Sequence, residues 1–197
     1  SAFATAYTDD SYQLAAHASQ IWVDPLGGTI LVGPGGSRLY YKGLMDRLGV
    51  TAHIYRVGTY KSAVEPYMRS DQSPEAEEAL KAVYDEVWGA WRADVAKARP
   101  QAQLDALLTD PAGAVEGAKG DLAKLSLDAK LVDKLGDRVS FGKFVASKVG
   151  KDREKRTGSF AAIPMASLLA SHAPDSSGSN VGVVTIAGEI VDGEGEI

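Results

Sequence analysis

The chain has 197 residues, 45% hydrophobic and 24% charged, with 26 acidic side chains against 21 basic ones and a net charge of −5. This is the balance of an ordinary globular chain, one domain with an appendage or two small ones, and it excludes wholesale disorder, collagen and a coiled-coil rod. The acidic surplus argues against a nucleic-acid partner, and the lack of cysteine excludes disulfides, thiolate-bound metals and thiol nucleophiles.

At the start, Phe3, Thr5 and Tyr7 alternate with alanines, the period of a short buried strand. Asp9-Asp10-Ser11 supplies capping chemistry for a helix over 12–19, with Leu14, Ala15 and Ala18 facing inward and His17 packed in the apolar run. Ile21-Trp22-Val23 reads as a second strand, ended by Asp24-Pro25 and Gly27-Gly28. A third apolar run, 29–32, leads into Gly33-Pro34-Gly35-Gly36-Ser37. Ser37 opens a helix in which Leu39, Tyr40, Leu44 and Leu48 recur at the helical period, and Gly49 stops it. Residues 50–57 alternate Ala52, Ile54 and Arg56 against Thr51, His53 and Tyr55, a strand that Gly58 ends. Strand, helix and strand in repetition define an α/β class with a largely parallel sheet.

Ser73-Pro74-Glu75 combines a capping hydroxyl, a first-turn proline and an acid at the positive end of the helix dipole. The helix it opens is predicted over 74–98, with a buried stripe of Ala76, Leu80, Val83, Val87, Trp91 and Val95, widened by Trp88. Further helices are predicted over 112–118, 121–129 and 141–149. Residues 151–156 form a charged, solvated connection, 160–169 an apolar run interrupted by Pro164, and 174–180 a Ser/Gly/Asp/Pro linker. The run 181–193 reads as a strand that turns, and a strand needs partners. The expected organisation is therefore an incomplete α/β domain over 1–150, a linker over 151–180 and the first strand of a truncated second domain over 181–197.

His17, His53 and His172 lie far apart, and none has the H-E-x-x-H spacing of a metal site. No metal and no cofactor are expected. A histidine triad has no G-x-S-x-G elbow to support it. No run approaches the ~20 apolar residues that cross a bilayer, so these residues are expected to be soluble. Gly33 to Ser37 matches no nucleotide-binding pattern and reads as a turn, with backbone contact to a peptide as its functional alternative. Ser140-Phe141-Gly142-Lys143 has the S-x-x-K spacing of Ser/Lys acylases, but S-D-N and K-T-G are missing, and Ser140 reads as a helix cap.

The densest cluster is Gly58-Thr59-Tyr60-Lys61-Ser62-Ala63-Val64-Glu65-Pro66-Tyr67. Val57, Tyr60, Ala63 and Val64 hem Lys61, and partial desolvation would lower its pKa into the range of a general base. Such an amine takes the proton of a serine hydroxyl and returns it to a leaving amine. The simpler alternative is a surface ion pair between Lys61 and Glu65. Ser62 is a poor nucleophile for its neighbour, because adjacent side chains on extended backbone point to opposite sides.

Residues 55–67, followed by Ser73-Pro74-Glu75-Ala76, resemble the amino-terminal half of the bacterial signal peptide peptidase A family, in its long tandem-domain form. Ile21-Trp22-Val23-Asp24-Pro25-Leu26-Gly27, Leu39-Tyr40-Tyr41-Lys42, Leu44-Met45-Asp46 and Lys130-Leu131-Val132-Asp133 support it in the same order, and 181–193 resembles the first strand of that family's carboxy-terminal domain. The resemblance implies a ClpP/crotonase-like fold and a Ser/Lys dyad with Lys61 as general base, Gly58, Tyr60, Ser62 and Glu65 being its supporting neighbours. It implies a nucleophilic serine in a strand-to-helix turn of a second domain, outside this sequence. The matching turn here is Thr8-Asp9-Asp10-Ser11-Tyr12, with Asp9 where the serine would stand. It also implies an upstream membrane anchor, an active site on the periplasmic side of the inner membrane, and homo-oligomeric rings. The implied substrates are cleaved signal peptides, held as extended apolar strands. The competing expectations are a non-catalytic ClpP/crotonase-like oligomerisation or scaffold module, with the 74–98 helix as interface, and a crotonase-like acyl-CoA enzyme.

Overall fold

The computed structural model of the chain describes residues 1–154, 156–172, 179 and 182–185. Its backbone packs as two units, residues 1–161 and 162–197. In the first, β1 (Ala2–Tyr7), β2 (Ile21–Thr29) and β3 (Lys134–Leu135) form a parallel sheet in the order β1-β2-β3. Parallel neighbours require a crossover. Helix α1 (Asp9–Ala16) lies between β1 and β2 in the chain.

The strand expected over Ile21-Trp22-Val23 runs on irregularly past Pro25 to Thr29, the one residue of the apolar run 29–32 that belongs to it. Ala4 and Ala6 of β1 pair with Val23 and Gly28 of β2, so Asp24 to Gly27 bulge opposite Thr5 alone. Pro25 is tolerated there because a bulge frees it from the ladder bond that proline cannot donate. Gly27 is required by close approach, since a Cβ at that position would fall 1.5 Å from the Thr5 carbonyl oxygen.

Thr8, one turn earlier than expected, caps α1. Its backbone N–H donates to Ser11 Oγ (2.8 Å), and the two hydroxyls lie 3.1 Å apart. The inward face is Tyr12, Ala15 and Ala16, whereas Leu14 is 80% exposed. Leu14 follows the buried Tyr12 by two residues, about 200° around the helix, and so faces out. Tyr12 is fully buried and donates its hydroxyl to the Leu131 carbonyl (2.8 Å), while Tyr7 donates to that of Trp22 (3.0 Å). Burial pushes the Tyr7 phenol up to about 12 and that of Tyr12 further, so both are fixed donors.

Helix α4 (Pro74–Ala98) matches the predicted bounds, with Ser73 Oγ accepting from the Ala76 N–H (3.1 Å). Its carboxyl half is anchored. Trp91 and Val95 are buried, and Trp91 Nε1 donates to the Asp9 carbonyl (2.8 Å). Arg99, just past the helix, forks onto Asp133 (2.7 and 3.2 Å), whose carboxylate also accepts from the Ile21 N–H (2.7 Å). Ala76 at the amino end is buried as expected, but the stripe is broken between the two ends: Leu80, Val83 and Val87 are 41%, 58% and 56% exposed. Periodicity marks the apolar face, but only a neighbouring element buries it.

Helices α5 (Leu104–Thr109), which the sequence pattern did not reveal, α6 (Pro111–Gly117) and α7 (Leu122–Asp128) follow. Helix α8 (Arg138–Val149) is capped by Asp137, which accepts from the Ser140 N–H (2.6 Å), so Ser140 lies within the first turn and is not the cap. Phe141 stacks on Phe3 (5.3 Å) and meets Trp22 edge-on (5.8 Å), closing one face of the sheet. The chain beyond α8 returns to this unit, with the Ala161 N–H donating to the Gly150 carbonyl (2.9 Å). In the second unit, α9 (Met165–Ser171) starts after Pro164. The strand expected over 181–193 lies outside the described residues except at 182–185, which carry no strand pairing.

Residues 30–58 depart most from expectation. The helix expected from Ser37 begins at Lys42 (α2, Lys42–Leu48), closed by Gly49 at φ 69°, and Leu39, Leu44 and Leu48 are exposed. Residues 50–57 form no strand, and Val50, Tyr55 and Val57 are 51%, 94% and 86% exposed. Alternation chooses which face of a strand is buried, but the strand exists only where a neighbour completes its ladder.

Candidate functional site

The lysine segment is a loop followed by two short helical turns. Gly58 sits at φ 109°, a region that strains any residue with a Cβ. The Lys61 N–H reaches back to the Gly58 carbonyl (3.3 Å), and Ser62–Val64 forms a single 3₁₀ turn leading into α3 (Glu65–Met68), with Pro66 in its first turn.

Arginine and glutamate anchor this loop. Arg56 Nη1 donates to the Lys61 carbonyl (3.0 Å), and Arg38 Nη2 donates to those of Ser62 (3.0 Å) and Ala63 (3.3 Å). Glu65, 1% exposed, accepts from the Ser73 hydroxyl and from the Ser73 N–H (3.3 Å), with Arg56 Nη1 3.7 Å from its carboxylate. Ser73 is also the cap of α4, so one carboxylate ties the lysine loop to the start of the longest helix. Tyr60 donates its hydroxyl to Glu78 on α4 (3.0 Å), which pushes the phenol up.

The hydrogen bonds from Ser73, aided by Arg69 and Arg56, outweigh burial and hold the Glu65 carboxyl below its ordinary value. A carboxylate stabilised in this way contributes fully above its unfolded pKa and is lost as pH falls through the lower native value. Thermal melts of the wild type are therefore expected to lose stability as pH falls below about 4.5, the ordinary glutamate value. Glu65→Gln should flatten that slope while lowering stability at neutral pH; an unchanged slope would remove Glu65 from the linkage.

Lys61 itself is exposed, and among the described residues its ammonium makes no ion pair. This corrects two expectations. The hem of Val57, Tyr60, Ala63 and Val64 does not desolvate the amine within this chain, because Val57 and Tyr60 are themselves 86% and 58% exposed. Nor do Lys61 and Glu65 form a surface pair, because Glu65 turns inward to Ser73. Ser62 is half-buried, and its N–H donates to the Tyr60 carbonyl (3.0 Å).

The remaining candidates stand apart from the loop. Ser140 and Lys143 are both exposed on α8. His17 is exposed rather than packed, its Nε2 3.1 Å from Asp94, and that contact with one from Gln13 holds the Asp94 carboxyl down. Asp9 opens α1 directly after β1, a strand-to-helix turn, and its Oδ1 is buried without a hydrogen-bond partner among the described residues. No group of three or more metal-ligating side chains occurs among the described residues. An apolar pocket of about 310 Å³ lies at the end of β2, lined by Thr29, Ile30, Leu31 and Val32 against Leu107, Leu108, Leu122 and Leu125. Arg38 is the contributor that the motifs did not point to; Arg56, read as a strand position within the lysine motif, and Ser73, read as a helix cap, were named without their roles in bracing the loop.

The described residues thus define a mixed α/β protein with a small parallel sheet and a braced lysine loop. Residues 2–141 match the family model of Peptidase family S49, and the chain belongs to that family. It is 36% identical over 191 residues to "Protease 4" of Salmonella typhi, which covers 95% of this chain and 30% of that protein. Against "Protease 4" of Haemophilus influenzae it is 29% identical over 199 residues, 99% of this chain and 32% of that protein. The chain therefore spans about a third of the length of these curated relatives.

Proposed function

We propose that this chain is the lysine-bearing part of a ClpP/crotonase-like serine peptidase in which Lys61 is the general base. The observation that carries the reading is the division of labour at the loop: three consecutive carbonyls, those of Lys61, Ser62 and Ala63, are held by arginines, while the Lys61 ammonium is left without an ion pair among the described residues. A base needs a fixed backbone and a free amine.

In the proposed step the neutral Lys61 amine takes the proton of a serine hydroxyl as its oxygen attacks the scissile carbonyl carbon. The ammonium then protonates the departing peptide amine, and the same amine activates the water that hydrolyses the ester. The serine comes from polypeptide outside residues 1–197. So does the cover that desolvates Lys61, since a lysine base needs a poorly hydrated amine. Domain 1–150, linker 151–180 and a second domain from 181 are the arrangement this implies. The full-length protein would be a homo-oligomer anchored in the bacterial inner membrane, working on the periplasmic side on cleaved signal peptides. No helix among the described residues is long and apolar enough to cross a membrane, so an anchor would lie elsewhere. Similarity to "Protease 4" supports proteolysis, and the apolar pocket beside β2 supports apolar peptides.

The full-length gene product, incubated with an apolar signal-peptide segment, a polar peptide of equal length and an acyl-CoA thioester, is expected to cleave the first fastest and leave the thioester intact. Thioester turnover without peptide cleavage would overturn the reading.

One observation favours the non-catalytic assembly module, namely the exposed Leu80, Val83 and Val87 on α4. Light scattering tests it, and a strict monomer for residues 1–197 counts against it.

A further inference from the structure

We propose that Arg56 is a positioning residue for Lys61, transmitting the rigidity of the capped helix α4 to the lysine loop through Glu65. This rests on the reading of Lys61 as general base. The argument begins with what each group needs. Glu65 is a buried carboxylate, and a buried charge is retained only where hydrogen bonds and counter-charge satisfy it. Ser73 supplies two donors from the cap of α4, and Arg69 and Arg56 supply positive charge.

Arg56 is the one member that reaches both ways. Its Nη1 lies 3.7 Å from the Glu65 carboxylate and donates to the Lys61 carbonyl at 3.0 Å, and the side chain is 30% exposed. A guanidinium suits this bridge because its donors are fixed in one plane and it stays protonated. Loops fluctuate more than helices, and a shift of ~1 Å in a catalytic group costs on the order of 100-fold in rate. The line Ser73–Glu65–Arg56–Lys61 carbonyl offers a way to limit that shift, because Ser73 is held by α4. Arg38, donating to the next two carbonyls, braces the same turn from residues outside that line.

The proposed role differs from substrate binding, because Arg56 acts through the Lys61 carbonyl and the Glu65 carboxylate. Its loss should therefore fall on kcat and not on KM. It also differs from plain structural support, because a missing guanidinium can be replaced by the free ion if what matters is the bridge.

The test uses the full-length gene product with an apolar peptide substrate, with active sites counted by a serine-acylating titrant. Arg56→Ala is expected to lower kcat per titrated site about 100-fold, to leave KM within about two-fold, and to regain at least ten-fold with millimolar guanidinium. Arg56→Lys is expected to fall between the two. Wild-type kcat per titrated site in Arg56→Ala overturns the proposal, as does a lower count of sites with unchanged kcat, which would make the arginine purely structural. A loss of kcat that guanidinium does not restore also overturns it. Lys61→Ala, run alongside, separates the two readings: if it is inactive while Arg56→Ala is normal, only the positioning role fails, and if it stays active, the base assignment fails first.

Discussion

Lys61→Ala in the full-length gene product is expected to lower peptide hydrolysis by at least about 1000-fold while leaving stability unchanged to within about 0.5 kcal/mol. The first figure takes the upper half of the range for general-base catalysis, about 100- to 10,000-fold, on the proposal that Lys61 is the sole base for the serine. The second follows from the surroundings of the side chain, which is exposed and makes no ion pair among the described residues, so that little packing is lost. Lys61→Arg should not rescue activity, since a guanidinium does not give up its proton in a protein. Initial rates with an apolar peptide and a urea melt on the same sample check both halves. Retained turnover would remove Lys61 from the chemistry. Lost turnover with an unfolded protein would say nothing in its favour, so the melt is part of the result.

The largest loss of stability is expected at Trp91. This side chain is 6% exposed, stacks on Trp88 with ring centroids 4.5 Å apart at 12°, approaches Tyr12 at 6.5 Å, and donates to the Asp9 carbonyl. Trp91→Ala removes the wedge between α4 and α1 and should cost about 3–5 kcal/mol. Trp91→Phe keeps most of the apolar contact and loses the indole donor, a cost of about 1 kcal/mol. Chemical denaturation reads both values, and a cost below about 1 kcal/mol for the alanine variant would mean that α4 is held elsewhere. The effect reaches the site, because the same helix carries Ser73 at its start and Ser73 holds Glu65. A partly loosened α4 should therefore weaken the lysine loop before the sheet opens.

Much of the amino-terminal unit was legible in the residues. Ser73-Pro74-Glu75 marks the start of α4 because capping is local chemistry, complete within four residues. Gly49 marks the end of α2 for the same reason. The parallel sheet followed from alternating strand and helix patterns, although its third strand is two residues long and carries no pattern to find. The site was half visible. Lys61 stood out through its neighbours, but Glu65 read as its surface partner, and nothing local showed that the carboxylate would turn inward to a serine eight residues on. Arg56 read as one position of a strand and Arg38 carried no signal, because the carbonyls that they hold are backbone acceptors, which every residue has.

The local sequence alone determined the start of α4 at Ser73-Pro74 and the stop of α2 at Gly49, which residues are apolar at each period, and which family the lysine motif resembles, since each of these depends on atoms within a turn or two of the chain. The tertiary structure decided burial: Leu14 faces out, Leu80, Val83 and Val87 are bare, and residues 50–57 form no strand despite their alternation. It also decided that Lys61, without an ion pair among the described residues, sits on a backbone held by arginines. The physical reason is common to all of these. Burial and ladder pairing are properties of two surfaces meeting, and a pattern along one chain describes only one of them.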